Sequence, residues 1–416
     1  MSNLAPYSWD TDALETDPSA IDITHNLFPE YIKEVVHLSF GRYPSSLIIR
    51  LNCSSIPELK PPRFVYTPLH GVGMHIFDQI IYSIGFEGQL TPVAAQASPD
   101  PSFRTVKFPN PEEKGALDLA IQTATEEEIS LVLANDPDAD RFCAAEQAKG
   151  QWHIFTGNEL GIIFAHHVFM QYKSLSDFDI RKLAMLSSAV SSKMLRSMAK
   201  KEGFHHQETL TGFKWLGNVS LDLVKEGYIV PYAFEEAIGF MFGDVVRDKD
   251  GICAAAVFLK IVIDLYERNQ TVFGLLEELY QRYGWFASRN WYVRCEPVAM
   301  TNAFHSLRHF HSDEKRLRYI DKVGENKVVW INDVSLGFDS RKDRVLPEDK
   351  SVAPSSEMIT FEFEDEIVMT LRGSGTEPKL KYYIEAKGLS MEEAQRKATN
   401  LETALKGVFG EFGLEA

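Results

Sequence analysis

Three aspartates occupy every second position in the segment LVLANDPDADR, residues 131–141. Asp136, Asp138 and Asp140 follow an apolar run, and carboxylates this close repel one another unless a cation neutralises them. A hard divalent ion such as Mg²⁺ binds carboxylate oxygens and turns that repulsion into coordination. The spacing therefore predicts a Mg²⁺ site in residues 136–141, the aspartate loop. A solvated acidic turn is the alternative that needs no metal.

Two other kinds of protein also use closely spaced aspartates. A calcium EF-hand needs Gly at the sixth loop position and Glu at the twelfth, whereas this chain has Arg141 and Gln147 there, which excludes it. A phosphatase with an aspartyl nucleophile places D-x-D after an apolar strand, usually with Thr or Val where this chain has Asp140. The residues of this segment alone leave the phosphatase open.

A second segment, LRGSGTEPKLKYY at residues 371–383, could bind a phosphate. Arg372 can hold a phosphate in a fork, hydroxyls add donors, and glycines let backbone N–H groups approach an anion. These smaller residues are Gly373, Ser374, Gly375 and Thr376. The Walker pattern G-x-x-x-x-G-K-[ST] is absent from the segment, and a plain hairpin connection is the alternative.

A third segment, PYAFEEAIGF at residues 231–240, sets Glu235 and Glu236 at the end of another apolar run. Paired acids after a strand can accept hydrogen bonds from sugar hydroxyls. Lys249 follows shortly in RDKDG and could bind phosphate or act as an acid or base. The alternative is a helix N-terminus rich in glutamate, which needs no ligand.

These segments are positioned by short apolar runs that alternate with amphipathic stretches. From residue 63 the pattern reads strand, helix, strand, helix, and it restarts at KLAMLSS, which implies two consecutive α/β sandwich domains. The C-terminal third alternates apolar and polar residues before a final helix with a Ser390–Glu393 capping box, which indicates an α+β domain. The fold class is therefore α/β. The expected units are 1–60, a remnant of a further α/β domain, then 61–180, 181–290 and 291–416.

Composition limits the possible partners. With 43 basic and 59 acidic residues the formal charge is −16, which argues against a nucleic acid or an anionic membrane as the partner. An anionic small molecule would need a local basic site. The four cysteines form no C-x-x-C pair, so we expect neither a zinc knuckle nor a disulfide framework. With no signal-like or long apolar segment, we expect a cytoplasmic protein.

Taken in order, these segments resemble the α-D-phosphohexomutase superfamily. NDPDADR is similar to its metal loop, FEEAIGF to its sugar-specificity loop and RGSGTEPK to its C-terminal phosphate-binding loop, while TLTGFKWLGN and VVRDKDG match accompanying segments. FVYTPLHGVG, VKFPNPEE, GNELG and LTGFKW are most similar to the branch containing phosphopentomutase/phosphoglucomutase and glucose-1,6-bisphosphate synthase. The resemblance extends from about residue 63 to the C-terminus.

The resemblance implies a reversible phosphoryl shift between C1 and C6, or C1 and C5, of a hexose or pentose phosphate. The shift would pass through glucose 1,6-bisphosphate or a pentose bisphosphate, with a phosphoserine as donor and acceptor and Mg²⁺ bridging it. Many family members carry Ser where this chain, like the pentomutase branch, has Ala237. The implied roles are Mg²⁺ ligation by Asp136, Asp138 and Asp140, sugar or substrate contacts by Glu235 and Glu236, distal-phosphate contacts by Arg372, Ser374, Gly375 and Thr376, and acid/base or phosphate contact by Lys249.

One family element is missing from these 416 residues. The catalytic loop of the family reads approximately T-A-S-H-N-P, and the nearest segment here is ITHNLF, with Thr24, His25 and Asn26, which we interpret as coincidence. We therefore expect an N-terminally shortened form of a four-domain mutase. The alternative is a non-catalytic sugar-phosphate-binding or regulatory protein, followed by a glucose-1,6-bisphosphate synthase and an aspartyl phosphatase.

Overall fold

The computed structural model describes residues 16–41, 62–310, 318–342, 357–374 and 378–414. Its α-helices are α1 (Thr24–Phe40), α2 (Gly73–Ser83), α3 (Asp118–Glu126), α4 (Gly157–Lys173), α5 (Met194–Glu202), α6 (Phe213–Lys225), α7 (Gly251–Tyr266), α8 (Val272–Tyr283), α9 (Pro297–Arg308) and α10 (Met391–Glu411). Its strands are β1 (Phe64–Thr67), β2 (Leu90–Pro92), β3 (Leu131–Asn135), β4 (Phe142–Ala148), β5 (Gln151–Ile154), β6 (Leu183–Ser188), β7 (His205–Thr209), β8 (Ile229–Glu235), β9 (Gly239–Phe242), β10 (Trp285–Arg294), β11 (Lys322–Val323), β12 (Asn326–Asp333), β13 (Phe338–Asp339), β14 (Met358–Phe363), β15 (Ile367–Gly373) and β16 (Lys379–Gly388).

The first sheet has the strand order β2-β1-β3-β4-β5. Strands β2, β1 and β3 are parallel, while β4 and β5 continue the sheet in antiparallel fashion. Every residue of β1 and β3 is buried, because helices or neighbouring chain cover both faces of the sheet. This double burial explains why both strands appear in the sequence as continuous apolar runs. The aspartate loop leaves the carboxyl end of β3.

The second sheet repeats this plan with the order β7-β6-β8-β9. Strands β7, β6 and β8 are parallel and β9 pairs with β8 in antiparallel fashion. Strand β8 ends at Glu235. In both sheets a polar loop therefore follows a buried strand, at the edge where α/β proteins usually bind their ligands.

Helices α1, α4 and α7 contribute to one continuous hydrophobic core that joins the two sheets. In α7, 14 of the 16 residues are buried, and α4 also contributes to this core. Val35, Val36 and Phe40 of α1 pack into the same core. The hydroxyl of Tyr31 in α1 donates to Asp250, whose carboxylate caps the N-terminus of α7, with both oxygens at 2.9 Å from the hydroxyl. Helix α1 is therefore anchored beside the loops that precede α7.

The C-terminal unit is an antiparallel sheet in the order β10-β16-β15-β14-β12-β11, with β13 paired to β12. It has its own core, into which α9 and α10 pack. The Ser390 side chain accepts from the Glu393 N–H at 3.2 Å, whereas the Glu393 carboxylate accepts from Leu389 and not from Ser390. One half of the predicted capping box is therefore present.

The α/β fold class with a C-terminal α+β unit is confirmed, while the four unit boundaries stay a prediction. Cys143 and Cys253 are buried free thiols and Cys295 is a half-buried one. Cys53 lies outside the described residues. In the described part of the chain, no helix is both long enough and apolar enough to cross a membrane.

Candidate active site

The aspartate loop brings its three carboxylates together. Oxygen atoms of Asp136, Asp138 and Asp140 lie within 4.8 Å of one another. Asp138 is exposed and Asp140 half-buried, but Asp136 is only 7% exposed, so a fully solvated acidic turn does not describe the loop. Ala139 adopts a left-handed conformation with φ 59°, and its N–H donates to the Asp136 carbonyl at 2.9 Å. This tight turn folds Asp138 and Asp140 back towards Asp136.

The loop concentrates negative charge at a partly buried position. Burial raises the pKa of Asp136 to about 7, and the charges of Asp140 and Asp138 add to this rise. A hydrogen bond from the Arg141 N–H, at 2.9 Å, opposes it. Three oxygen donors with one buried member fit the ligand chemistry of a hard divalent cation, which would neutralise the charge that the fold accumulates here.

Lys249 connects the aspartate loop to the segment before α7. Its Nζ lies 2.8 Å from an Asp140 carboxylate oxygen, and its side chain is 27% exposed. Burial alone would lower the pKa of Lys249, but the hydrogen bond and charge of Asp140, with a contribution from Asp248, outweigh burial and raise it. Lys249 is therefore protonated at neutral pH, and its ammonium group lies next to the predicted metal ligand Asp140.

The aspartate loop and the start of β4 contact two distant segments, the turn after β8 and the start of α7. The Phe142 N–H donates to the Ile238 carbonyl at 3.0 Å, and the Gly251 N–H donates to the Ala139 carbonyl at 3.1 Å. A Cβ atom on Gly251 would lie 2.2 Å from the Arg141 carbonyl oxygen, so only glycine permits this approach. Sequence analysis missed these contacts, because nothing local in either segment indicates which distant loop it meets.

Glu235 and Glu236 differ in their surroundings. Glu235 is the last residue of β8 and is followed by a turn into β9, so the glutamate-rich helix N-terminus considered above is wrong. One Glu235 oxygen accepts from the N–H of Gly212, within the segment TLTGFKWLGN. Burial raises the pKa of Glu235 to about 7. Among the described residues, the Glu235 carboxylate thus accepts one hydrogen bond from the backbone, and its other lone pairs can accept hydrogen bonds from a ligand.

Glu236 is held more fully by the protein itself. Its Oε2 accepts from Ser188 Oγ at 3.1 Å and from Ser191 Oγ at 3.3 Å, and its own N–H donates to Ser191 Oγ at 2.9 Å. Burial raises the pKa of Glu236. A cleft of about 540 Å³ opens beside Glu236 and Ala237. Glu236 fixes the shape of the loop, and sequence analysis did not identify the two serines that anchor it.

The C-terminal unit adds a positive charge. Arg372 lies near the end of β15, and its charge opposes the burial-driven rise in the pKa of both Glu235 and Glu236. Segment 371–383 connects β15 to β16 as an antiparallel hairpin, with the Ser374 N–H donating to the Lys379 carbonyl at 2.9 Å. The described ends of the segment therefore form the antiparallel pairing of the hairpin alternative, and the Arg372 charge acts on both glutamates from the end of β15. Gly375 and Thr376 lie outside the described residues.

The segment ITHNLF forms the first turns of α1. Thr24 is exposed, and its N–H donates to the Asp22 carboxylate at 2.8 Å. Phe28 stacks on His75 with ring centroids 5.7 Å apart. These residues lie in the first turn of a helix, which supports the interpretation that Thr24, His25 and Asn26 match the catalytic loop by chance. That interpretation stays a prediction.

Comparisons with known proteins identify the family to which this fold and sequence are similar. Residues 42–150 match the phosphoglucomutase/phosphomannomutase α/β/α domain II, and residues 156–283 match domain III of the same family. A probable phosphoribomutase of Schizosaccharomyces pombe is 42% identical over 97% of this chain and 67% of its own length. Human glucose 1,6-bisphosphate synthase is 40% identical over 91% of this chain and 59% of its own length.

A solved structure with the same fold is the open form of the exocytosis-sensitive phosphoprotein pp63/parafusin, a phosphoglucomutase from Paramecium. It has a TM-score of 0.60 and 20% identity over 92% of this chain and 62% of its own chain. The domain matches and the relatives assign the chain to a family of sugar-phosphate mutases. The chain belongs to the α-D-phosphohexomutase superfamily. It spans about three fifths to two thirds of the length of these relatives.

Proposed function

We propose that this chain provides the metal-, sugar- and phosphate-binding parts of a phosphoglucomutase/phosphopentomutase-type enzyme. Such an enzyme interconverts sugar 1-phosphates and 6- or 5-phosphates through a bisphosphate intermediate. The observation that carries the proposal is the contact of the aspartate loop and the start of β4 with two later segments, the turn after β8 through the Phe142–Ile238 hydrogen bond and the segment before α7 through the Asp140–Lys249 ion pair. These contacts support a common site for the predicted metal and sugar ligands.

The aspartate loop would hold Mg²⁺ through Asp136, Asp138 and Asp140. When bound, the ion would neutralise charge on a phosphoryl group. Lys249 would add a fixed positive charge beside Asp140. Its raised pKa supports a phosphate contact over a base, because a base must be deprotonated.

Two further residues would bind the sugar phosphate. Glu235 would accept hydrogen bonds from sugar hydroxyls, since only the Gly212 N–H occupies it among the described residues. Arg372 would hold the distal phosphate in a fork, and Ser374, Gly375 and Thr376 would add contacts to that phosphate.

Removing one aspartate tests the metal site. Asp138→Asn is expected to weaken Mg²⁺ binding by about tenfold or more, because a charged ligand contributes on the order of 1.5 kcal/mol or more. Asp138 is exposed, so the variant is expected to fold normally. Titration calorimetry measures the affinity. Asp222→Asn, another exposed aspartate, is the control; equal affinities in the two variants would remove the loop from the site.

Removing the guanidinium group of Arg372 tests the proposed phosphate site. Arg372→Ala is expected to weaken glucose 1-phosphate binding by about 1.5–3 kcal/mol, the scale of a charge-assisted hydrogen bond. Arg63→Ala, which removes an exposed arginine paired with Glu127, is the matched control and is expected to bind normally. Equilibrium binding at fixed ionic strength compares the two. An unchanged affinity in Arg372→Ala would make the hairpin purely structural.

A non-catalytic sugar-phosphate-binding protein is the second candidate. It is favoured by one observation, the absence of a T-A-S-H-N-P run in these 416 residues. Both candidates share the binding experiments above and differ in turnover. An aspartyl phosphatase has less support, because it assigns no role to Glu235 or Arg372.

A further inference from the structure

A basic groove lies between the second α/β unit and the C-terminal sheet. It has a volume of about 720 Å³, and seven basic but only three acidic side chains line it. The chain as a whole carries a formal charge of −16, so this groove is a local reversal of sign. None of Asp136, Asp138, Asp140, Glu235 and Arg372 lines the groove, which adjoins the cleft beside Glu236 through the shared residues Phe286 and Glu385.

One wall of the groove is a single face of α5 and the turn before it. Lys193, Arg196 and Lys200 line the groove at the three- and four-residue spacing that places side chains on one side of a helix, and the adjacent Lys201 lines it as well. Lys193 is buried, with its Nζ held by the Ala189 carbonyl at 2.8 Å and Glu208 at 3.2 Å. Lys200 and Lys201 are exposed.

The opposite wall belongs to the C-terminal unit. Arg341 reaches Glu362, the same carboxylate that Arg196 contacts from α5 at 2.6 Å, so one acid serves two arginines. Lys387 lies 2.7 Å from Glu366, whose side chain is 69% exposed. Positive charge therefore faces the groove from both walls.

The groove has more cations than nearby carboxylates to pair with them. Within the described ranges, neither Lys200 nor Lys201 forms an ion pair; Lys201 donates to the Arg282 carbonyl at 2.8 Å. Arg282 itself also lines the groove and pairs with Glu202. The other five lining cations each have a carboxylate partner, so Lys200 and Lys201 are the two whose charge a bound anion would pair.

We propose that this groove is a second anion site, which binds a compact polyanion carrying two or more phosphoryl groups. The surplus of basic over acidic side chains in the lining matches the charge of two or more phosphoryl groups better than that of a single phosphate. The site is independent of the proposed mutase function. Because its walls belong to two units, an occupant would tie the second α/β unit to the unit that carries Arg372.

Inorganic tripolyphosphate is the probe, titrated without Mg²⁺ into the full chain by calorimetry. The double variant Lys200→Glu/Lys201→Glu is expected to weaken binding by about tenfold or more, since each lysine loses a charge-assisted contact. Lys200→Gln/Lys201→Gln, which only neutralises the charge, is expected to show a smaller loss in the same direction. Thermal unfolding of each variant checks that it folds.

Two controls distinguish binding in this groove from a general effect of net charge and from binding at Arg372. Lys33→Glu/Lys225→Glu makes the same change in net charge at exposed lysines on α1 and α6 and is expected to bind normally. Arg372→Ala is expected to leave unchanged the binding step that Lys200→Glu/Lys201→Glu weakens, because Arg372 does not line the groove, whatever its effect on phosphate binding at the hairpin. Equal losses in both charge-reversal variants, or a loss confined to Arg372→Ala, would overturn the proposal. Preferential binding of a DNA oligonucleotide to the groove would replace the small polyanion by a nucleic acid and overturn it as well.

Discussion

Purified residues 1–416, supplied with glucose 1-phosphate, glucose 1,6-bisphosphate and Mg²⁺, are expected to form glucose 6-phosphate no faster than a blank without protein. A mutase needs a nucleophile that holds the phosphoryl group between its two half-reactions. In the proposed site the aspartate loop, Glu235 and Arg372 would orient a sugar phosphate, but orientation alone gives the phosphoryl group no carrier between the two hydroxyls. The expected loss relative to an active mutase is therefore nearly complete.

A coupled assay for glucose 6-phosphate measures this turnover, with a longer mutase of the same family as positive control. Binding of glucose 1-phosphate to the same preparation shows that the site is intact, so absent turnover cannot be ascribed to unfolding. Robust turnover with phosphate on Thr24 by mass spectrometry would show that ITHNLF is the phosphoryl carrier. Robust turnover without that mark would indicate a nucleophile elsewhere in the chain.

The sequence predicted the fold well where burial leaves a local signal. Strands β1, β3, β6 and β8 are apolar runs because both their faces are covered, and α10 buries Leu401 and Leu405, which lie four residues apart on one helix face. The position of α1 was not predictable in this way. Its packing on α7 involves core residues of α1 and the Tyr31–Asp250 hydrogen bond, which joins residues 219 positions apart.

The site was predictable in its residue types and less so in its geometry. The charge spacing in the aspartate loop indicated a metal, and the structure does bring those three carboxylates together. The difference between Glu235 and Glu236 could not be read from the sequence, because it depends on Ser188 and Ser191 approaching one of two adjacent carboxylates. Contacts between distant segments have no local sequence pattern, so they require the folded chain.

A buried ion cluster contacts the chain next to the β15–β16 hairpin. Arg308 Nε donates to Asp333 at 2.6 Å, and Arg308 Nη1 donates to Glu357 at 3.0 Å. Asp333 is 0% exposed, Glu357 2% and Arg308 3%. The Glu357 carbonyl accepts from the Gly373 N–H at 2.9 Å, directly after Arg372. The cluster therefore connects α9 to the strand end that positions Arg372.

Replacing the arginine of this cluster is expected to have the largest effect on stability. Arg308→Met should lower the free energy of unfolding of the C-terminal unit by about 3–5 kcal/mol, because it leaves two buried carboxylates without their counter-charge. Urea denaturation followed by tryptophan fluorescence measures the change. Arg181→Ala, whose arginine is 83% exposed and paired with Asp179, is the control and should leave the free energy of unfolding essentially unchanged.

A compensating variant separates lost charge from lost packing. If uncompensated carboxylates are the cause, adding Asp333→Asn and Glu357→Gln to Arg308→Met should restore part of the stability, because neutral amides cost less to bury than carboxylates. Tyr319, whose hydroxyl donates to Asp333 at 2.9 Å, would keep a partner in the triple variant. A triple variant less stable than Arg308→Met, or an Arg308→Met variant no less stable than Arg181→Ala, would contradict this account and make the cluster incidental to the position of Arg372.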